Sequence, residues 1–238
     1  MCTVIIRVPE SAEEPTRVLA IRDEDPSRPW NPLGRWWPEA HEATVGVRDV
    51  RAGGAWLAAD PDTGRLAVLL NRADISDRPE SELRSRGAIV LDSVAGRSPA
   101  GDPGTHGFNL VEVDGARARV LSWDGQNLRT TDLAPGTHMI AHEDVDDPAT
   151  ARITAWLEPF RATAVGDDER WWTPWVTLLE ETTNLESTDD RAIIRDNRPF
   201  GYPTLSLLAC VASVNSDDID LRYGELREPG HWGGLDLS

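Results

Sequence analysis

Between Phe108 and Ala141 the chain is cut by three turn dipeptides, Asp114-Gly115, Asp124-Gly125 and Pro135-Gly136, at intervals of about ten residues. Asp-Gly is the dipeptide that two-residue hairpins demand, and no helix survives such interruption. The segment is therefore predicted to be a four-stranded antiparallel meander. A further hairpin is expected where Asp60-Pro61-Asp62-Thr63-Gly64 separates Gly53–Ala59 from Arg65–Asn71. Strands are predicted at both ends of the chain: Thr3 to Val8 and Arg17 to Arg22 near the start, Leu205 to Val214 and Ile219 to Leu226 near the end. Leu66 to Leu70 and Leu205 to Val214 are unbroken apolar runs, the pattern of strands covered on both faces.

Helical periodicity enters at two places. Ile153, Trp156, Leu157 and Phe160 recur at i, i+3, i+4 and i+7, and so do Trp172, Trp175, Val176 and Leu179. A third helix is expected from about Pro79 through Ser93, with Leu83, Ile89, Val90 and Val94 on its apolar side, whereas Trp30 to Glu42 reads as irregular and aromatic. Two antiparallel sheets packed face to face with helices outside satisfy these patterns. The expected class is α+β, a four-layer αββα sandwich, with a two-layer α+β domain as the alternative. One domain is expected to span residues 1–238.

Composition narrows function by exclusion. A net charge of -17 argues against nucleic acid and anionic membranes, because both need a basic surface. No apolar run approaches the roughly 18 residues of a membrane span, and no basic n-region leads into an apolar stretch. All 24 basic residues are arginine; without lysine there is neither Schiff-base chemistry nor a P-loop. Cys2 and Cys210 alone make no disulfide framework, which suits a reducing, cytoplasmic setting.

The residue that most invites chemistry is Cys2, directly after Met1 and at the head of the β-branched run Thr3-Val4-Ile5-Ile6. Removal of Met1 leaves thiol and α-amine on one residue, and an amine titrating near pH 8 can serve as base to its own thiol. A cysteine opening a strand can equally be a small apolar filler. Arg22 and Asp23, at the end of the second strand, would lie beside Cys2 in a sheet. There aspartate could hold the amine and arginine could favour the thiolate. Asn71 and Asn109, at other strand ends, could donate to an oxyanion. The bland reading of Arg22-Asp23 is an exposed ion pair of little worth.

Other constellations carry less. His138 and His142 share a face of a predicted strand, and His142-Glu143-Asp144 with Asp146-Asp147 could hold a cation. No recognised ligand spacing is met, so a solvated acidic loop is preferred and no metal is expected. Neither a phosphate-binding glycine loop nor a nucleophile elbow is present.

At these residues the chain resembles the NRDE family, also called the transport and Golgi organisation family. Its members begin Met-Cys and carry Asn-Arg-Asp-Glu at the end of the second strand. Here that motif reads Ile21-Arg22-Asp23-Glu24, followed in family order by Gly53-Gly54-Ala55-Trp56-Leu57, Leu70-Asn71, Ser85-Arg86-Gly87, Gly107-Phe108-Asn109-Leu110 and Pro135-Gly136-Thr137. The match runs over roughly residues 1 to 142, with a weaker one over Thr204 to Leu226. The resemblance implies an N-terminal-nucleophile-hydrolase-like αββα fold, similar to penicillin V acylases and bile salt hydrolases, with Cys2 as nucleophile supported by Arg22 and Asp23. Eukaryotic relatives are linked to secretory organisation, lipid or acyl-CoA metabolism and haem trafficking. Three positions depart from the pattern: Ile21 stands for the first Asn, His142 for the Asn after the Pro-Gly-Thr strand, and Pro203 for a late arginine.

Two functions are therefore expected. One is a cysteine N-terminal-nucleophile hydrolase or acyltransferase acting on a small-molecule, non-peptide amide or related acyl substrate, with Trp56, Trp36 and His142 as substrate contacts and no cofactor. The other is a non-catalytic carrier of haem or an acyl lipid in the same pocket, with Cys2, His138 or His142 as possible axial ligands to haem.

Overall fold

The computed structural model describes residues 2–237. Twelve strands and three α-helices follow in chain order among them: β1 (Thr3–Val8), β2 (Thr16–Glu24), β3 (Trp30–Gly34), β4 (Val45–Asp49), β5 (Ala55–Asp60), β6 (Arg65–Asn71), α1 (Gly87–Val94), β7 (Phe108–Asp114), β8 (Arg117–Trp123), β9 (Leu128–Asp132), β10 (Gly136–Ile140), α2 (Ala151–Ala162), α3 (Thr173–Thr182), β11 (Leu205–Val214) and β12 (Ile219–Glu225). They form a five-stranded sheet in the order β10-β1-β2-β11-β12 and a seven-stranded sheet in the order β3-β4-β5-β6-β7-β8-β9, every pairing antiparallel.

Period-two alternation explains how the sheets stack. In β1 and β2, Val4, Ile6, Val18 and Ala20 face one buried cluster while Ile5, Leu19 and Ile21 face another. The first cluster also takes Leu57, Leu66, Val68, Val111 and Val120 from the larger sheet and is the core between the sheets. The second receives Ile153, Leu157 and Phe160 of α2 and Trp175, Leu178 and Leu179 of α3, so these helices cover the outer face of the smaller sheet. A third cluster, with Ala58, Ala67, Leu110 and Leu121, is closed by Ile89, Val90, Leu91 and Val94 of α1. The layers are αββα, one helical layer being only the eight-residue α1. All ten residues of β11 are buried, as its unbroken apolar run requires.

Three expectations change. The fourth strand of the predicted meander leaves its sheet: β10 pairs with β1, from Val4 opposite Ile140 to Val8 opposite Gly136. Pro135-Gly136 is thus a crossover between sheets and not a hairpin. Turn chemistry marks where a chain reverses; it does not choose the strand edge that accepts the next strand. The helix expected over Pro79 to Ser93 contracts to a 3₁₀ turn at Glu80–Glu82 and α1, which starts only at Gly87. Gly54 and Gly87 explain that start: a Cβ on Gly54 would lie 2.2 Å from the Gly87 carbonyl carbon, so the chain enters α1 hard against the head of β5. Finally, the irregular Trp30–Glu42 stretch contains the edge strand β3, whose Trp30 indole donates to the Tyr223 hydroxyl on β12 at 2.9 Å. That bond ties together the neighbouring edges of the two sheets.

Candidate active site

Cys2 precedes β1 at one end of the sandwich, on the side facing the other sheet. It forms the floor of a pocket of about 410 Å³. The smaller sheet contributes Cys2, Arg22, Asp23 and Glu24; the larger sheet contributes Asp49, Trp56, Leu69 and Asn71. The loop leading into α1 supplies Glu80, Leu83, Arg84, Ser85, Arg86 and Gly87, and Arg28, Arg51 and His106 complete the mouth. Met1, whose removal would free the Cys2 amine, lies outside the described residues.

The β1–β2 register sets Thr3 opposite Ile21, so the next pair is Cys2 with Arg22. Alternation then sends Arg22 inward, beside the thiol, and Asp23 toward the side of Ile21. The Cys2 thiol donates to the Asp23 carbonyl at 3.6 Å, and the Asp23 N–H donates to the sulfur at 3.4 Å. Asp23 is 5% exposed, and its Oδ1 accepts the Ser206 hydroxyl at 2.6 Å. A register shift between Ser206 and Leu208 in β11 places that hydroxyl opposite Asp23, a use of a β-bulge to aim a side chain. Arg22, 2% exposed, lies 3.6 Å from Glu24 and 3.9 Å from Asp49, while its Nη1 has no hydrogen-bond partner among the described residues.

The electrostatics alter one expectation. Burial, and next the Asp23 carboxylate, raise the pKa of the Cys2 thiol above its ordinary value; the Arg22 guanidinium works in the other direction and is outweighed. The resting residue is a thiol, not an arginine-stabilised thiolate, so any nucleophilic step needs a base. Cys210 is also a buried thiol with its pKa raised by desolvation, on β11 and outside the pocket.

The two asparagines separate. Asn71 ends β6, is exposed and lines the pocket, with its side-chain amide free of protein partners among the described residues. Asn109 is fully buried: its amide nitrogen donates to the Ala141 carbonyl at 3.0 Å and the Glu143 carbonyl at 2.7 Å, and its oxygen accepts from Ser122 at 2.7 Å. Both amide hydrogens are spent on the loop after β10, so Asn109 has none to offer an oxyanion. Of the expected substrate contacts, Trp56 lines the pocket, 6% exposed and with its indole N–H unpartnered among the described residues. Trp36 does not; its indole donates to the Pro32 carbonyl at 2.7 Å over the edge strand β3. His142 lies among buried arginines outside the lining: burial first, then Arg152, lowers its pKa to about 4, which leaves a neutral ring at physiological pH. His138 has both ring nitrogens engaged, on Asp146 at 2.7 Å and on the Ala134 carbonyl at 2.9 Å, so neither is available to haem iron. The acidic stretch after His142 is spent on ion pairs and turns, Asp144 with Arg72 and Arg129, Asp146 with His138 and Arg161. Among the described residues no group of three histidine, cysteine or acidic side chains is placed to hold a metal.

Several residues of this region are beyond the reach of sequence reasoning. Ser206 and Arg152 arrive from distant elements; Arg152, on α2, donates to the Thr3 hydroxyl at 2.8 Å, and burial lowers its pKa to about 10. The motif Ser85-Arg86-Gly87, to which the sequence assigns no role, forms one wall of the pocket.

A solved structure shares this architecture. That of the mutant C2A conjugated bile acid hydrolase from Clostridium perfringens matches with a TM-score of 0.50 over 100% of this chain and 92% of that one, at 9% sequence identity. Such a likeness shows the fold alone, the αββα sandwich. A sequence comparison with curated proteins finds no match. No helix among the described residues is long and apolar enough to cross a membrane. The family model described as Transport and Golgi organisation 2 matches residues 1–197, which takes in the whole of the larger sheet and all of the smaller one apart from β11 and β12. The chain belongs to the Transport and Golgi organisation 2 family.

Proposed function

We propose that this protein is a cysteine N-terminal-nucleophile hydrolase or acyltransferase acting on a non-peptide amide or related acyl compound. The observation that carries the reading is the position of Cys2: a thiol at the floor of a pocket, fixed through sulfur to the backbone of Asp23, with Arg22 and Asn71 on the same lining. Once Met1 is removed, the Cys2 amine takes the thiol proton as the sulfur attacks the acyl carbonyl. The amine returns that proton to the leaving nitrogen or oxygen as the tetrahedral intermediate collapses to a thioester. Water, or an acceptor amine, then attacks the thioester and restores the thiol. The raised pKa of the thiol suits this order, because the base acts in the step and the sulfur is not stored as an anion. Asn71 is the amide available to steady the oxyanion, and Ser206 holds the Asp23 carboxylate in place.

The test is intact mass before and after treatment with a thiol-directed electrophile, on protein from its native host. Loss of Met1, with labelling at Cys2 far faster than at Cys210, is the expected result. Incubation with an activated acyl ester should then leave an acyl adduct on Cys2. Retention of Met1 removes the proposed base and overturns the mechanism.

A further inference from the structure

The charges that line the Cys2 pocket are not paired evenly. Glu24 and Asp49 are shared between Arg22 and Arg28. Glu80 is held by His106, whose other ring nitrogen meets Asp74 at 2.8 Å. Three arginines of the mouth remain. Arg86 donates to the Gly107 carbonyl at 2.7 Å and Arg84 to the Pro103 carbonyl at 3.0 Å, both neutral acceptors, while their carboxylate neighbours, Glu24 and Asp74 for Arg86 and Asp102 for Arg84, act on them only at longer range. Arg51 is exposed on the turn before β5. Among the described residues none of these three has a carboxylate within ion-pair distance.

Two further observations share this pocket. The loop of Arg84 and Arg86 runs into the N-terminus of α1, where the Gly87 N–H donates to the Ser85 hydroxyl at 3.3 Å and the Ile89 N–H to the Arg86 carbonyl at 3.0 Å; the helix end still directs the partial positive charge of its dipole at the same wall. At the floor, Arg22 is 2% exposed and its Nη1 has no acceptor among the described residues. A buried guanidinium donor left without a partner is costly, and an acceptor arriving with a ligand removes that cost. This happens in a chain whose net charge is -17, so the pocket runs against the field of the rest of the molecule.

We infer that the pocket selects acyl compounds bearing an anionic group, a carboxylate or a phosphate, held by Arg51, Arg84 and Arg86 at the mouth while the acyl carbonyl approaches Cys2 and Arg22. This deepens the proposed function and rests on its reading of the Cys2 pocket as the substrate site.

Two alkylating agents of similar size test it, iodoacetate and iodoacetamide, with Cys2 followed by peptide mass. Their rate ratio cancels thiolate fraction and steric access, so it reports the local charge. Compared with the ratio for N-acetylcysteine, Cys2 should favour iodoacetate by about tenfold or more, the scale of several half-exposed charge pairs acting together. Arg51→Gln/Arg84→Gln, two exposed positions, should bring the preference to within about threefold of the reference, and so should raising salt from about 0.05 to 0.5 M, where the screening length falls to a few ångström. A ratio at or below that of N-acetylcysteine overturns the inference.

A binding series on Cys2→Ala gives an independent answer even if neither reagent reaches the sulfur. N-hexanoylglycine, N-hexanoyl-O-phosphoethanolamine and neutral N-hexanoylethanolamine would be compared by calorimetry. At least one anion should bind about tenfold tighter than the neutral amide, about 1.4 kcal/mol, and the order of the two anions separates carboxylate from phosphate. Equal or tighter binding of the neutral amide overturns the inference. Anion preference without any acyl-enzyme would sink the hydrolase reading and leave the anion site standing; an acyl-enzyme formed equally well from neutral esters would do the reverse.

Discussion

Gly54→Ala tests whether the contact between β5 and the start of α1 holds the pocket wall. An added Cβ would sit 2.2 Å from the carbonyl carbon of Gly87 and 2.4 Å from its Cα, all backbone atoms that no rotamer change can clear. Restoring an ordinary contact of 3.4 Å requires α1 to retreat by about 1.2 Å. Overpacking of this kind costs about 1–3 kcal/mol. For a chain of this size that lowers the melting temperature by roughly 2–12 °C, read by tryptophan fluorescence. The movement also carries Ser85, Arg86 and Gly87 away from Cys2, so alkylation at Cys2 should change rate. Gly53→Ala is the control. Gly53 has φ +74, and a Cβ placed there meets nothing within 4 Å, so alanine costs about 1–2 kcal/mol of left-handed backbone and leaves the wall alone. A Gly54→Ala protein with unchanged melting temperature and unchanged Cys2 alkylation would refute the argument that this contact positions α1.

The asparagines should part company under mutation. Asn71→Ala should leave stability within about 0.5 kcal/mol, as for a surface change, while lowering acyl transfer by about 100- to 1000-fold. Asn109→Ala, which strands the Ala141 and Glu143 carbonyls, should cost about 1–3 kcal/mol in denaturant unfolding; the opposite pattern would exchange their roles. Ser206→Ala removes the hydroxyl from Asp23 and the acceptor of the Arg195 N–H, and should slow acylation more than it raises KM; a pure KM effect would contradict a positioning role. The pKa of His106 is raised chiefly by its hydrogen bond to Asp74. A raised folded value means the charged pair stabilises fully below the ordinary histidine pKa of 6.5 and that this contribution fades as pH climbs through the folded value. Stability should therefore fall with rising pH across that window in the native protein and lose this dependence in His106→Gln, as thermal melts over roughly pH 5–9 would register.

Legibility of the fold depends on range along the chain. Elements with a local signature can be read directly: the Asp-Gly hairpins between β7, β8 and β9, the apolar run of β11, and the i, i+3, i+4 stripe of α2. β3 escapes such reading because Trp30-Asn31-Pro32 carries no alternation and its pairing with β4 is broken by an irregularity. The helix expected from Pro79 is too long because apolar spacing continues through Leu83, although the backbone turns at Glu80–Glu82 and again before Gly87.

In the candidate site the same division holds. Cys2 at the head of a strand and Arg22-Asp23 at the end of the next are legible in the residues alone, and adjacency of consecutive antiparallel strands is enough to join them. The unbroken apolar runs Leu66 to Leu70 and Leu205 to Val214 demand cover on two faces and so point to the sandwich, with a two-layer domain left as the alternative until the packed clusters are seen. Packing between distant segments turns Pro135-Gly136 into a crossover, spends both hydrogens of Asn109 on a loop, brings Ser206 to Asp23, and gathers Arg51, Arg84 and Arg86 at one mouth. Propensity and periodicity act over a few residues, whereas which strand edge is free, which donor already has an acceptor and which charges share a cavity are decided by contacts between segments far apart in the chain.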